Sequence, residues 1–270
     1  MKNTLLLLLL CCSLQSLRAA TVDTISIPSA AMHRSYKCVV VTPDSYKKGK
    51  QRYPVVYLLH GYSGNYASWI TKMPAAKDLA DTYQCVMVFP DGAFGSWYLD
   101  SPMDSSMRFE TYVSKEIPAY IDQRYKTLPD SKHRAITGFS MGGHGALYLA
   151  MRHPDVFGVA GSMSGGVDIR PFPKSWELVK LLGEPGKDGV NWTPYTVMDQ
   201  VDRLKPGVLS MIIDCGVKDF FIDVNRALNK KLLEKGIDHD YTERPGQHDW
   251  PYWSNSTYYH MLYFHRFFNK

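Results

Sequence analysis

The chain is poor in cysteine, carries no long apolar run beyond its N-terminus and contains no repeat. Each absence narrows what it can be. Two of its 5 cysteines, Cys11 and Cys12, fall in the N-terminal apolar run, which leaves Cys38, Cys85 and Cys215. An odd number of thiols excludes a framework of paired disulfides. Cys38 and Cys85 lie in apolar stretches and read as buried free thiols. There is no C-x-x-C and no His/Cys spacing suited to zinc, so the sequence calls for no metal and no cofactor. After Leu5–Leu10 no segment approaches the ~20 apolar residues of a membrane-spanning helix. The net charge of +5 is scattered, with only Lys47-Lys48 and Lys230-Lys231 adjacent, which argues against a nucleic-acid partner. Low-complexity blocks and linkers are absent after residue 20.

What is present fits one α/β domain over residues 21–270. With 270 residues, 45% of them hydrophobic, the chain can bury a large core. Residues 1–20 read as an export signal: Lys2, a short apolar run, then small residues at Ala19-Ala20. The expected location is periplasmic or extracellular. A lipoprotein signal with Cys11 or Cys12 lipidated is the alternative, although neither is preceded by the small residue such a signal needs.

Thr21–Ile27 and Tyr36–Val41 are β-rich and suggest a leading antiparallel pair. Pro54–His60 and Cys85–Phe89 are unbroken apolar runs, as in strands buried on both faces. Ala135–Thr137, Val156–Ser162, Val208–Asp214 and Asp238–Glu243 are further strand candidates. Helices are expected over Pro74–Thr82, Phe109–Tyr125 despite Pro118, Gly142–Arg152, Asp223–Lys235 and Trp250–Phe268. This alternation predicts a mostly parallel sheet covered by helices. Residues 167–204, rich in proline, fit least well and read as an insertion above the sheet that shapes a cleft.

Ser140 stands in Gly138-Phe139-Ser140-Met141-Gly142, a G-x-S-x-G pattern. In such a turn the serine is strained between strand and helix, and the glycines let backbones pass closely. A chain of this length holds the pattern by accident roughly one time in ten. Here a strand candidate precedes it and a helix candidate follows. A hydroxyl needs a base to become a nucleophile. His248, in the loop Pro245–Trp250 after the last strand candidate, suits that role better than His239, which reads as part of a strand. Of the other histidines, His60 reads as ending its strand and His144 as packing behind the nucleophile. Asp214, Asp219 and Asp223 compete as the acid that orients the base. Asp219 is favoured because it lies in a loop past the strand end, whereas Asp214 reads as a turn residue and Asp223 as a helix cap. An oxyanion would need two N–H donors, expected from Met141 and from Tyr62, with Gly61 the rival of Tyr62.

Several runs carry a family resemblance: Tyr57-Leu-Leu-His-Gly-Tyr-Ser-Gly64, Phe89-Pro-Asp-Gly92, Ser96-Trp97-Tyr98, Gly138-Phe-Ser-Met-Gly-Gly-His-Gly-Ala146 and Gly246-Gln-His-Asp-Trp250. From about Arg34 to the C-terminus the chain resembles the putative-esterase family of α/β-hydrolases (esterase D and carbohydrate esterase family 1), which includes feruloyl and acetylxylan esterases, S-formylglutathione hydrolases and mycolyltransferases. The resemblance implies an α/β-hydrolase fold, with Ser140, Asp219 and His248 catalytic and Met141 and Tyr62 as oxyanion donors. S-formylglutathione hydrolases look like Gly-His-Ser where this chain has Gly138-Phe139-Ser140. Together with the export signal this favours a feruloyl esterase acting on small or polysaccharide-linked esters. Trp69, Trp97 and Phe220 are the candidates for contact with an aromatic acyl group, along with Tyr62. Short-chain ester hydrolysis, thioester hydrolysis, acyl transfer to a sugar and a non-catalytic binding role are the alternatives.

Overall fold

A computed structural model describes residues 20–47 and 49–270. The expected export signal, apart from Ala20, lies outside the described residues. Eight strands form one sheet: β1 (Thr21–Ser29), β2 (Arg34–Thr42), β3 (Val55–Leu59), β4 (Val86–Pro90), β5 (Arg134–Gly138), β6 (Val159–Met163), β7 (Ser210–Gly216) and β8 (Asp240–Arg244). Their spatial order is β1-β2-β4-β3-β5-β6-β7-β8. β1 and β2 pair antiparallel, β2 meets β4 antiparallel, and every later pairing is parallel.

The sheet is buried on both faces, and β3 and β4 carry apolar residues at every position. Along β3, Val55, Tyr57 and Leu59 enter one core and Val56 and Leu58 the other. The named helices are α1 (Ser68–Lys72), α2 (Ala76–Tyr83), α3 (Phe109–Thr111), α4 (Ile117–Arg124), α5 (Met141–Arg152), α6 (Leu178–Leu182), α7 (Val197–Gln200), α8 (Ile222–Glu234) and α9 (Trp250–Phe268). The first core receives α3 to α8, for example Ala146 and Leu228, while the second receives α1, α2 and α9, for example Trp69, Leu79 and Phe264. Among the described residues no helix is long and apolar enough to cross a membrane.

Three local expectations need correction. The helix predicted over Phe109–Tyr125 is interrupted by a π-helical turn at Tyr112–Glu116. Pro118 has no N–H to continue the α-ladder, and the chain widens just before it, with Ile117 N–H reaching back to Tyr112 O. β6 starts at Val159, later than predicted, because Val156 N–H is drawn into a turn with His153 O. Asp223 does not cap α8: it lies inside the first turn with its side chain exposed, and Asp219 Oδ1 instead accepts the Phe221 N–H.

Residues 167–204 run over the α5 side of the sheet. Val167, Ile169, Leu178, Leu182 and Trp192 are buried in the first core. At its edge, Trp176 packs in a tilted contact with Phe221, and the Glu177 carboxylate accepts a long hydrogen bond from Tyr62 Oη at 3.4 Å. The segment therefore reaches the turn that follows β3. Cys38, Cys85 and Cys215 are free and buried, as expected for Cys38 and Cys85.

Candidate active site

Ser140 sits at the sharp turn between β5 and α5 with φ 56° and ψ −119°, a sparsely populated conformation. Backbones crowd this turn so closely that positions 138 and 142 have no room for a side chain. A Cβ on Gly142 would lie 2.5 Å from Leu59 O and 2.7 Å from His60 O, and one on Gly138 would lie 2.6 Å from Gly142 C. Ser140 N–H donates to Met163 O at 3.0 Å, which ties the turn to the end of β6.

His248 stands in the loop between β8 and α9. Asp249 caps α9 by accepting the Tyr252 N–H, and Pro251 occupies the first turn, so the chain leaves His248 in a defined direction. Asp219 stands in the loop after β7. The two loops touch: Lys218 N–H donates to Gly246 O at 2.9 Å, and a Cβ on Gly216 would lie 2.7 Å from Gly246 O.

These loops bring three side chains into one hydrogen-bonded chain. His248 Nε2 is 2.9 Å from Ser140 Oγ, and His248 Nδ1 is 2.8 Å from Asp219 Oδ2. The Asp219 side chain is fully buried, and its other oxygen accepts the Phe221 N–H at 2.8 Å, so both oxygens are satisfied. Asp214, the rival acid, does not join this chain. It is buried against α9, bonded to Ser256 and His260. His239 is also elsewhere, against Asn229.

Two turns of the chain offer backbone N–H donors. Met141 opens α5, so its N–H has no partner within the helix. In the turn after β3, the N–H groups of Ser63 and Gly64 are taken by Phe94 O and Gly61 O, which narrows the donors there to Gly61 and Tyr62. His60 fixes this turn. Its Nδ1 donates to Gly61 O and its Nε2 accepts the Gly92 N–H, both at 2.8 Å. That arrangement requires a neutral ring, and burial lowers the His60 pKa accordingly.

A cleft of about 630 Å³ opens beside His248, lined also by Gly61 to Asn65, Phe139, Trp250 and Trp253. The aromatic candidates divide. Trp69 and Trp97, expected in the cleft, are each 1% exposed and serve as packing. Trp69 meets Phe139 edge-on and donates its Nε1–H to Leu59 O, while Trp97 packs on His144. Phe220 is 54% exposed, with its ring 4.2 Å from that of His248 and stacked beside Trp176. Trp176, Trp250 and Trp253 were not anticipated at the site. Trp250 was the legible one, two positions beyond His248; Trp253 follows on the same helix, and Trp176 depends on how a distant segment folds back. Among the described residues no cluster of three His, Cys, Asp or Glu side chains could hold a metal ion.

Known proteins of similar sequence and shape carry related names. The chain is 32% identical over 235 residues to Esterase Rv1288 of Mycobacterium tuberculosis, covering 77% of this chain but 51% of that protein. The chain thus spans about half the length of that relative. It is 28% identical over 217 residues to an acetyl esterase of Caldicellulosiruptor saccharolyticus, covering 74% of this chain and 78% of the relative. The solved structure of a ferulic acid esterase superposes with a TM-score of 0.81 at 26% identity, covering 93% of this chain and 99% of that one. The order of strands and the helices on both faces are those of the α/β-hydrolase fold. Since residues 29–259 match the profile of the family described as Putative esterase, the chain belongs to that esterase family.

Proposed function

We propose that this protein is a serine carboxylic-ester hydrolase whose nucleophile is Ser140. The observation that carries the reading is the unbroken chain Ser140–His248–Asp219, with hydrogen bonds of 2.9 and 2.8 Å. Ser140 Oγ attacks the ester carbonyl as His248 Nε2 takes its proton. The buried Asp219 carboxylate holds the ring and stabilises the imidazolium. Negative charge on the former carbonyl oxygen rests on the N–H groups of Met141 and Tyr62, each such donor being worth ~10²–10³ in rate. His248 then protonates the departing alcohol, which leaves an acyl-Ser140 ester. Water repeats the cycle, with His248 again as base and then acid. No step calls for a metal or cofactor.

Within that class we favour esters with an aromatic acyl group, feruloyl esters first. The exposed Phe220 ring beside His248, backed by Trp176, offers an aromatic surface to such a group. The similar ferulic acid esterase structure supports the same choice. Short-chain acyl esters are the second reading, in keeping with the acetyl esterase relative. We also propose that residues 1–20 direct export, which N-terminal sequencing of the mature protein tests.

Ser140→Ala should abolish turnover of p-nitrophenyl butyrate while leaving the circular dichroism spectrum unchanged. Undiminished turnover would sink the assignment. Comparing kcat/KM for methyl ferulate, an acetylated xylan fragment, p-nitrophenyl butyrate and S-formylglutathione tests the substrate class. Methyl ferulate should lead; equal, feeble rates on all four would remove the feruloyl reading.

A further inference from the structure

Asp214 and His260 form a second, separate carboxylate–imidazole pair in this molecule, and both side chains are fully buried. Asp214 Oδ1 accepts the Ser256 hydroxyl at 2.7 Å. Its Oδ2 lies 2.8 Å from His260 Nε2 and 3.4 Å from Arg244 Nη1. His260 Nδ1 is 2.8 Å from Thr137 Oγ1. The imidazole crosses the face of β6 between its neighbours: a Cβ on Gly161 would lie 2.3 Å from His260 Nδ1, so the strand carries glycine where the ring passes. One ring thereby joins β5, through Thr137, to β7, through Asp214.

Burial on its own would raise the Asp214 pKa. The hydrogen bonds from His260 and Ser256 and the charge of Arg244 outweigh it and hold the carboxyl below its usual range. An ionised group in the core is costly, and apolar replacements of such groups are often no less stable, so stability alone is a weak reason for it.

The sequence positions of its members suggest another reason. Thr137, near the end of β5, lies three residues before Ser140. Asp214 lies on β7, which runs into the loop of Asp219, and Arg244 ends β8, just before the loop of His248. Ser256 and His260 lie on α9, whose start is set by the residue after His248. Every segment that presents a member of the Ser140–His248–Asp219 chain is therefore tied to one buried carboxylate.

We propose that the Asp214–His260 pair is a positioning device that sets the alignment of Ser140, His248 and Asp219 without touching substrate. The proposal rests on the reading of Ser140 as the nucleophile. Small misplacements of reacting groups are expensive in rate, which is how a pair this remote can act on the reaction. Substrate contacts in the cleft are left as they are, so the effect belongs in kcat rather than in KM.

The test compares His260→Ala with His260→Gln, whose amide nitrogen reaches the place of Nε2 and keeps the bond to Asp214. At a temperature where both are folded, His260→Ala should lose about tenfold or more in kcat with KM held within about twofold. The rate at which a fluorophosphonate labels Ser140 should fall by the same factor, and His260→Gln should recover most of both. Ile121→Ala, a cavity in the opposite core, serves as the control and should lower Tm with kcat unchanged. Should His260→Ala fail to fold, Thr137→Val removes a single hydroxyl and should reduce kcat and labelling together. Folded His260→Ala or Thr137→Val with the parent kcat and labelling rate overturns the proposal. So does an equal loss of kcat in Ile121→Ala at matched Tm. Activity surviving in Ser140→Ala would instead remove the reading of the nucleophile, a separately visible failure.

Discussion

The imidazole of His248 lies 4.2 Å, centroid to centroid, from the ring of Phe220, and that ring is more than half exposed. A group bound there would be held against the residue that, in the proposed mechanism, protonates the departing alcohol. Phe220→Ala should raise KM for methyl ferulate about tenfold, the scale of one lost aromatic contact plus its buried area. KM for methyl butyrate should change far less. Steady-state kinetics on the two esters decide it, and equal shifts would show that Phe220 does not read the acyl group.

Trp69→Ala should behave in the opposite way. Its ring is buried between Phe139 and Trp250, and its Nε1–H is bonded to Leu59 O. Emptying that volume should cost about 3–5 kcal/mol in stability. Urea denaturation reads this directly, and the folded fraction should keep the parent preference among esters.

Asp219→Asn should keep the fold, because the amide oxygen can still accept the Phe221 N–H. It removes the charge that favours an imidazolium and allows the wrong tautomer of His248. A fall of about 10³–10⁴ in kcat is expected, with an unchanged near-ultraviolet circular dichroism spectrum. Asp214→Asn should fall far short of this loss, showing only the smaller decline of a positioning group, since Asp214 is bonded to Ser256 and His260 and not to His248.

Gly142→Ala should damage both the fold and the reaction. The added methyl meets two carbonyl oxygens, those of Leu59 and His60, and neither belongs to a flexible side chain. Relief requires moving the turn that carries Tyr62 away from Met141. About 1–3 kcal/mol of stability should be lost to overpacking, together with kcat on any ester. Thermal melts and turnover of p-nitrophenyl butyrate measure the two effects.

Stability should fall on mild acidification. Burial lowers the His144 pKa to about 4, only partly opposed by the carbonyls of Tyr195 and Trp97. In the unfolded chain the ring titrates near its ordinary ~6.5. Below that value the unfolded state takes a proton that the folded state refuses, so stability is full above pH ~6.5 and declines toward pH ~4. The contribution is about 3 kcal/mol. Buried His60 acts in the same direction. Urea denaturation at pH 7.5, 5.5 and 4.5 should show the decline, and a His144→Gln variant should show a shallower one.

The elements of the fold were legible because their causes are local. Unbroken apolar runs at Pro54–His60 and Cys85–Phe89, each closed by a turn signal, point to strands covered on both sides. The crowding glycines around Ser140 likewise mark a tight strand-to-helix turn, whatever the rest of the chain does. Pro118 was visible as well, but its consequence was not. A missing N–H can kink, end or widen a helix, and the packing around Tyr112 and Ile117 decides which.

The candidate site was legible as a set of residue types in a required order, serine, then aspartate, then histidine. The sequence alone determined both that order, which is a property of the chain itself, and the turn around Ser140, which depends on neighbours within a few residues. The tertiary structure decided which of three nearby carboxylates meets His248, and it placed Asp214 in a second network instead. It also buried Trp69 and Trp97 while leaving Phe220 open, a distinction that residue identity cannot make. The physical reason is the same in each case. The direction a side chain faces is set by segments far away in the chain, here α9 and residues 167–204, and only their packing shows which groups are sealed in the core and which line the cleft.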